Sequence, residues 1–174
     1  MSASSKARRA FFIKSTTLKQ ESIPKRELYA QLAAQLASLL AGERDLIANA
    51  ANFSSLIFHS LPDLNWAGFY FVKDDELVLG PFQGQPACVR IRVGQGVCGA
   101  AAAKCVTTIV PNVHEFPGHI ACDSASNSEI VVPLMKGERL IGVLDLDSPA
   151  TARFNEEDAA GLETLVHILL SSVN

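Results

Sequence analysis

The middle of this chain alternates short strand-like runs with tight turn signals, and that arrangement constrains its fold more than any other feature. Trp66-Ala67-Gly68-Phe69-Tyr70-Phe71-Val72 is rich in aromatic residues, Lys73-Asp74-Asp75 supplies a turn, and Leu77 to Phe82 answers it. Two such runs across a short polar turn read as a hairpin. Cys88 to Val93 alternates and reads as a third strand, and Thr107 to Val110 as a short fourth. Ile130 to Met135 is joined to Leu140 to Leu146 by Lys136-Gly137-Glu138-Arg139. Neighbours joined by so few residues run antiparallel, because parallel strands need a crossover of about a dozen residues or more.

Helical periods flank and interrupt these runs. Pro24 suits the first turn of a helix that carries Leu28, Leu32, Leu36 and Leu39 and ends at Gly42. A second helix places Leu46, Ile47, Ala50, Phe53 and Ile57 on one face and stops near Ser60-Leu61-Pro62. Gly96 to Lys104 is rich in small residues and reads as a short helix. The last helix opens at Asn155, an N-cap residue, with Glu156, Glu157 and Asp158 in its first turn and Leu162, Val166 and Leu169 as its buried stripe. Pro111 to Ser128 has no regular period, and a loop of that length in a compact domain usually has a function. The expected class is α+β, with a largely antiparallel sheet of about six strands and terminal helices covering one face.

The chain has 174 residues, 48% of them hydrophobic, enough for one domain with its own core. Residues 1–23 read as a flexible basic extension and 24–174 as the single domain. The extension carries Lys6, Arg8, Arg9, Lys14 and Lys19 with no acid before Glu21; a mitochondrial presequence is the alternative reading of it. No apolar run approaches the roughly 20 residues of a membrane span, and no signal-peptide pattern opens the chain. The expected compartment is therefore the cytoplasm. A net charge of −3 argues against a nucleic-acid partner. The amphipathic first and last helices also suit packing between subunits, so a homodimer is expected to be feasible.

Four groups of residues could carry chemistry. Gly94-Gln95-Gly96-Val97-Cys98-Gly99 fits the glycine pattern of a dinucleotide site, but it lies outside a βαβ unit and lacks the acid that should end the next strand. It reads as a tight turn into a short helix, whose N–H groups could lower the pKa of Cys98. His114, His119 and Cys122, with Cys98 or Cys105, offer zinc-type ligands without zinc-type spacing, and no metal is expected. Three of the four cysteines, Cys88, Cys98 and Cys122, are candidates for redox chemistry: Cys122 sits in the long loop among small residues, Cys88 opens a strand, and Cys98 starts a helix. Cys105 lies beside β-branched residues and reads as a buried small hydrophobe. Asp145 and Asp147 alternate with Leu144 and Leu146, so both carboxylates share one strand face. Glu129 begins the strand that pairs with theirs. Three converging carboxylates repel, and at least one pKa should rise.

Asn65-Trp66-Ala67-Gly68-Phe69-Tyr70, Gly80-Pro81-Phe82-Gln83-Gly84, the Gly94 to Gly99 turn and Gly142-Val143-Leu144-Asp145-Leu146-Asp147-Ser148 together resemble the free methionine-(R)-sulfoxide reductases, which are built on a GAF domain. The similarity runs from about Pro24 to Leu170. The resemblance implies a GAF-like domain with a loop-covered pocket on the sheet face away from the terminal helices. It implies Cys122 as nucleophile, Cys88 as the main resolving cysteine and Cys98 as a third that can enter disulfides. Glu129, Asp145 and Asp147 match substrate-binding and acid-catalytic carboxylates, and Trp66 and Tyr70 match aromatic residues of the pocket, although core packing explains strand aromatics equally well. Cys105 has no counterpart in that pattern. The implied reaction reduces free methionine-(R)-sulfoxide through a sulfenic acid and an intramolecular disulfide, with no bound cofactor and with electrons from a thioredoxin-type dithiol protein. The competing reading is a non-catalytic GAF sensor that binds a small ligand and needs no cysteine set.

Overall fold

The computed structural model describes residues 23–118 and 124–173. The basic extension, His119 and Cys122 lie outside the described residues. The chain order is α1 (Lys25–Leu39), α2 (Leu46–Ser60), β1 (Trp66–Lys73), β2 (Glu76–Gly84), β3 (Arg90–Arg92), α3 (Gly96–Lys104), β4 (Thr108–Val110), a single 3-10 turn (Val113–Glu115), β5 (Ser128–Lys136), β6 (Arg139–Ser148) and α4 (Glu156–Ser172). The strands form one sheet in the order β3-β2-β1-β6-β5-β4, and every neighbouring pair is antiparallel.

The two faces of the sheet follow from the strand period. Ala67, Phe69, Phe71, Ile130, Val132, Leu134, Leu144 and Leu146 point toward α1, α2 and α4 and form the main core with Leu32, Leu36, Phe53, Ile57, Leu162 and Leu169. Burying each large side chain contributes about 1.5–3 kcal/mol, so this layer holds the sheet against its helices. Alternate residues point the other way. Trp66, Tyr70, Val131 and Val143 meet α3 and the 3-10 turn in a second cluster with Val97, Ala101 and Val113.

Side chains cap the starts of α2 and α4. Asp45 caps α2 by accepting from the Ala48 N–H at 2.8 Å. Asn155 and Asp158 form a reciprocal capping box at the start of α4. The strand expected over Cys88 to Val93 shortens to Arg90–Arg92. Gly84, at φ +126°, turns the chain off β2, Pro86 brings no N–H for a ladder, and Cys88 sits in the irregular segment before β3 rather than opening it. No helix among the described residues is long and apolar enough to cross a membrane.

Candidate active site

The register of three central strands assembles the site. Asp147 on β6 stands opposite Trp66 on β1 and opposite Glu129 on β5, while Asp145 stands between Gly68 and Val131. Residues opposite one another point to the same face. Two carboxylates at period two on β6 and one on β5 therefore converge with the Trp66 indole on the face away from α1, α2 and α4. The N-terminal turn of α3, Gln95 to Cys98, closes the cavity from above, and Pro86, Ala87 and Ser126 complete its rim. The enclosed space is about 40 Å³, room for roughly three waters.

Glycines make room for the aromatic wall. A Cβ on Gly68 would lie 2.3 Å from Phe82 Cβ and 2.7 Å from the Trp66 ring. The indole consequently lies flat over β1 and stacks on Phe82 at 5.3 Å and on Tyr70 at 5.9 Å between ring centres. Its Nε1 donates to the Gln85 carbonyl at 3.2 Å, which fixes the ring and occupies its single donor. Trp66 and Tyr70 are thus both buried and part of the pocket wall.

The electrostatics of the cavity are those of acids held away from water. Glu129 and Asp145 are each 6% exposed. Burial lifts the Asp145 carboxyl to about 7, against hydrogen bonding with Cys98 and Glu129 that pulls it down. Glu129 is raised well above the carboxylate range, first by burial and then by the charges of Asp145 and Asp147. Asp145 Oδ1 has no hydrogen-bond partner among the described residues. The rise expected from three converging carboxylates is present, with desolvation as the larger cause.

The cysteines separate into different environments. Cys98 is buried, and its Sγ lies 3.9 Å from Glu129 Oε1. The first turn of a helix predicts a lowered pKa for this thiol. Burial and the negative charge of Asp145 and Glu129 push it well above the usual value instead. Cys88 is disulfide-bonded in the segment that also supplies Pro86 and Ala87 to the cavity rim. Cys105, a buried residue by its β-branched sequence neighbours, is exposed in the fold. It terminates α3 in the left-handed conformation, φ 53°, which turns the chain and its thiol outward.

Of the ligands considered for zinc, His114 is on the 3-10 turn with Nε2 3.0 Å from Asn127 Oδ1. It does not belong to the group of Cys98, Glu129 and Asp145, whose donor atoms lie within 4.8 Å of one another. An ion there would have to displace protons from a thiol and carboxyls whose burial favours their neutral forms. The glycine turn at Gly94 to Gly99 serves geometry: Gly94 adopts φ +90°, and a Cβ on Gly99 would meet the Arg92 carbonyl at 2.4 Å.

A GAF domain family model matches residues 49–171. The chain is 55% identical over 142 residues to the Escherichia coli protein named free methionine-R-sulfoxide reductase, covering 82% of this chain and 86% of that one. It belongs to the GAF-domain free methionine-R-sulfoxide reductase family. The structure of that family's Neisseria meningitidis enzyme, solved in complex with its substrate, superposes with a TM-score of 0.84 at 47% identity, covering 87% of this chain and 91% of that one. A Burkholderia vietnamiensis protein described as a GAF sensor superposes with a TM-score of 0.84 at 60% identity, covering 87% of this chain and 96% of that one. Within this reductase family fold, sequence reasoning identifies the carboxylates and aromatics but misses Ser126, Pro86, Ala87 and Gln95 as cavity residues. Small and loop residues carry no period, so the only available signal for Ser126 is its place in the aperiodic loop.

Proposed function

We propose that this chain reduces free methionine-R-sulfoxide to methionine, with Cys122 as nucleophile and Cys88 as its resolving partner. The observation that carries the reading is a cavity in which burial raises the carboxyls of Glu129 and Asp145, the latter to about 7, beside the aromatic wall of Trp66 and Tyr70. The names of relatives at 55% and 42% identity support it.

The Cys122 thiolate attacks the sulfoxide sulfur. Oxide is a poor leaving group, so its oxygen takes a proton from the carboxyl of Glu129 or Asp145 as the S–O bond weakens. With a second proton the oxygen leaves as water. Attack of water on Cys122 Sγ then breaks the new S–S bond to the substrate sulfur and returns one proton. Cys122 is thereby oxidised by two electrons to a sulfenic acid, and the substrate, reduced by the same two, leaves as methionine. The Cys88 thiol then condenses with the sulfenic acid, forming the S–S bond and releasing water. A thioredoxin-type dithiol reduces that bond and becomes a disulfide itself. Cys88 already takes part in a disulfide, whereas Cys98 is a buried thiol whose proton is held tightly; both facts favour Cys88 as the resolving residue. Substrate binding belongs to the reduced form, in which the segment of Pro86 and Ala87 is released from the disulfide and the small cavity can widen.

The same acids select the free amino acid. An ammonium group in a water-excluded site needs an anionic or acceptor partner, and Asp147 and Asp145 supply it; a peptide-bound residue has no such charge. The deciding measurement is turnover of the R and S epimers, free and in a peptide, with thioredoxin or a small dithiol as reductant. The expected result is turnover of the free R epimer alone, abolished by Cys122→Ser. Full activity in that variant, or equal turnover of peptide-bound sulfoxide, would overturn the reading.

A further inference from the structure

Ser126 is a buried polar residue that the mechanism above leaves unused. It is 4% exposed and lines the cavity with Glu129, Asp145 and Trp66. Its Oγ accepts a hydrogen bond from Asn65 Nδ2 at 2.9 Å. A hydroxyl has one proton to donate, and an amide N–H cannot receive it. Among the described residues no acceptor takes that proton. On the same cavity, Asp145 Oδ1 is a buried acceptor without a donor among the described residues, and the two groups do not bond to each other.

A buried donor and a buried acceptor that face one cavity and miss each other are each costly to leave unmade. Their complement is a ligand that carries an acceptor oxygen and a charged donor on one small body. An amino-acid sulfoxide is such a molecule: its α-carboxylate and S=O oxygens accept, and its ammonium donates. For the acceptor end the wall offers the Tyr70 hydroxyl, the Gln95 amide and the protonated carboxyls besides the Ser126 hydroxyl, which Asn65 holds in place, while the Trp66 N–H is already given to Gln85.

We propose that Ser126 is a substrate-binding residue that donates its hydroxyl proton to an acceptor oxygen of the bound amino-acid sulfoxide, and that Asn65 is the positioning residue that turns that proton toward the cavity. The inference rests on the functional reading given above and deepens it. Because Asn65 Nδ2 occupies a lone pair of the hydroxyl, the O–H is aimed before substrate arrives, which reduces the ordering cost of binding. The acceptor is either the α-carboxylate or the sulfoxide oxygen, and the two behave differently toward product.

The test uses the reduced full-length chain in a Cys122→Ser background, so that substrate binds without turnover. Trp66 is the single tryptophan of the sequence and sits in the cavity wall, so its fluorescence reports binding directly. Kd is measured for methionine-R-sulfoxide and for methionine. Ser126→Ala should weaken sulfoxide binding about tenfold or more, as expected for a lost hydrogen bond to a charged or strongly polar acceptor, while keeping a cooperative melting transition. Ser126→Thr, which keeps the hydroxyl, should restore most of the affinity. Asn65→Ala, in the otherwise native enzyme, should raise KM with little change in kcat. Equal losses for sulfoxide and methionine assign the α-carboxylate, and a loss confined to the sulfoxide assigns the S=O oxygen. If Ser126→Ala binds both ligands as the parent does, the inference is overturned while the functional reading stands. If the parent binds neither ligand, both are overturned.

Discussion

At the scale of single residues, Asp145 shows how a site can work against the fold that holds it. An ordinary Asp releases its proton near pH ~4, but burial holds this one to about 7. Folding therefore takes up a proton between those values. The stability that goes with the neutral carboxyl is full below about pH 4 and is lost as pH rises through about 7. Asp145→Asn keeps the shape and removes the titration. It should melt several degrees above the parent at pH 8 and within a degree or so of it near pH ~4, while binding or turning over the sulfoxide poorly. Melting curves at the two pH values and steady-state kinetics decide the matter; a variant less stable than the parent at pH 8 would show that the buried charge is compensated. Cys98 teaches the converse lesson. Its place in the first turn of a helix suggests an activated thiol, and burial beside two acids makes it the opposite.

At the scale of elements, β1 is the strand on which both layers depend. Its odd positions, Ala67, Phe69 and Phe71, enter the main core, and Trp66 and Tyr70 enter the cavity. Gly68 is placed where the Trp66 ring and Phe82 leave no room for a side chain. Gly68→Ala should cost about 1–3 kcal/mol by overpacking and shift the Trp66 emission, because the indole must leave its stacked position. Gly137, at φ +63° in the β5–β6 turn, has open space where a Cβ would stand, with no neighbouring atom within 4 Å. Gly137→Ala should cost about 1–2 kcal/mol from backbone strain alone and leave the emission unchanged. Denaturant unfolding and fluorescence spectra of the two variants separate the mechanisms; an unshifted spectrum in Gly68→Ala would contradict the packing argument. Both glycines stand in runs that the sequence marks plainly as strand and turn. Which of them touches an indole is a matter of cross-strand register and sheet curvature.

For the molecule as a whole, the closure of α1 against α4 rests on a buried charge. Asp158, fully buried, joins Lys25 at the start of α1, Tyr29 one turn on and Arg153 before α4, besides completing its capping box with Asn155. Burial alone would raise its carboxyl. The Lys25 ammonium, the Asn155 N–H, the Arg153 guanidinium and the Tyr29 hydroxyl outweigh burial and hold it below the usual range. The sign is opposite to that of Asp145: this contribution is present above the unfolded carboxylate range and is lost as pH falls through the lowered folded value. Asp158→Ala leaves the half-buried Lys25 ammonium, the Arg153 guanidinium and the buried Tyr29 hydroxyl without this partner and should destabilise by about 3–5 kcal/mol, with the acid side of the stability profile flattened. Chemical denaturation across pH tests this; a loss below about 1 kcal/mol would mean that the pairs behave as surface ion pairs.

The sequence by itself determined the order of elements, the antiparallel sheet, the helix cap at Asn155 and the shared face of Asp145 and Asp147, because these depend on periods and turns a few residues long. It also carried the family's residues, since Trp66, Tyr70, Glu129, Asp145 and Asp147 do meet at one cavity. Tertiary structure alone decided the remainder. Cys88 left its expected strand, Cys105 turned outward, Cys98 was buried among acids, and Ser126 was brought onto the cavity beside Asn65. The physical reason is common to all four. A side chain's exposure, its proton affinity and its hydrogen-bond partners are set by neighbours distant in sequence, and burial changes a thiol or a carboxyl more than any adjacent residue can.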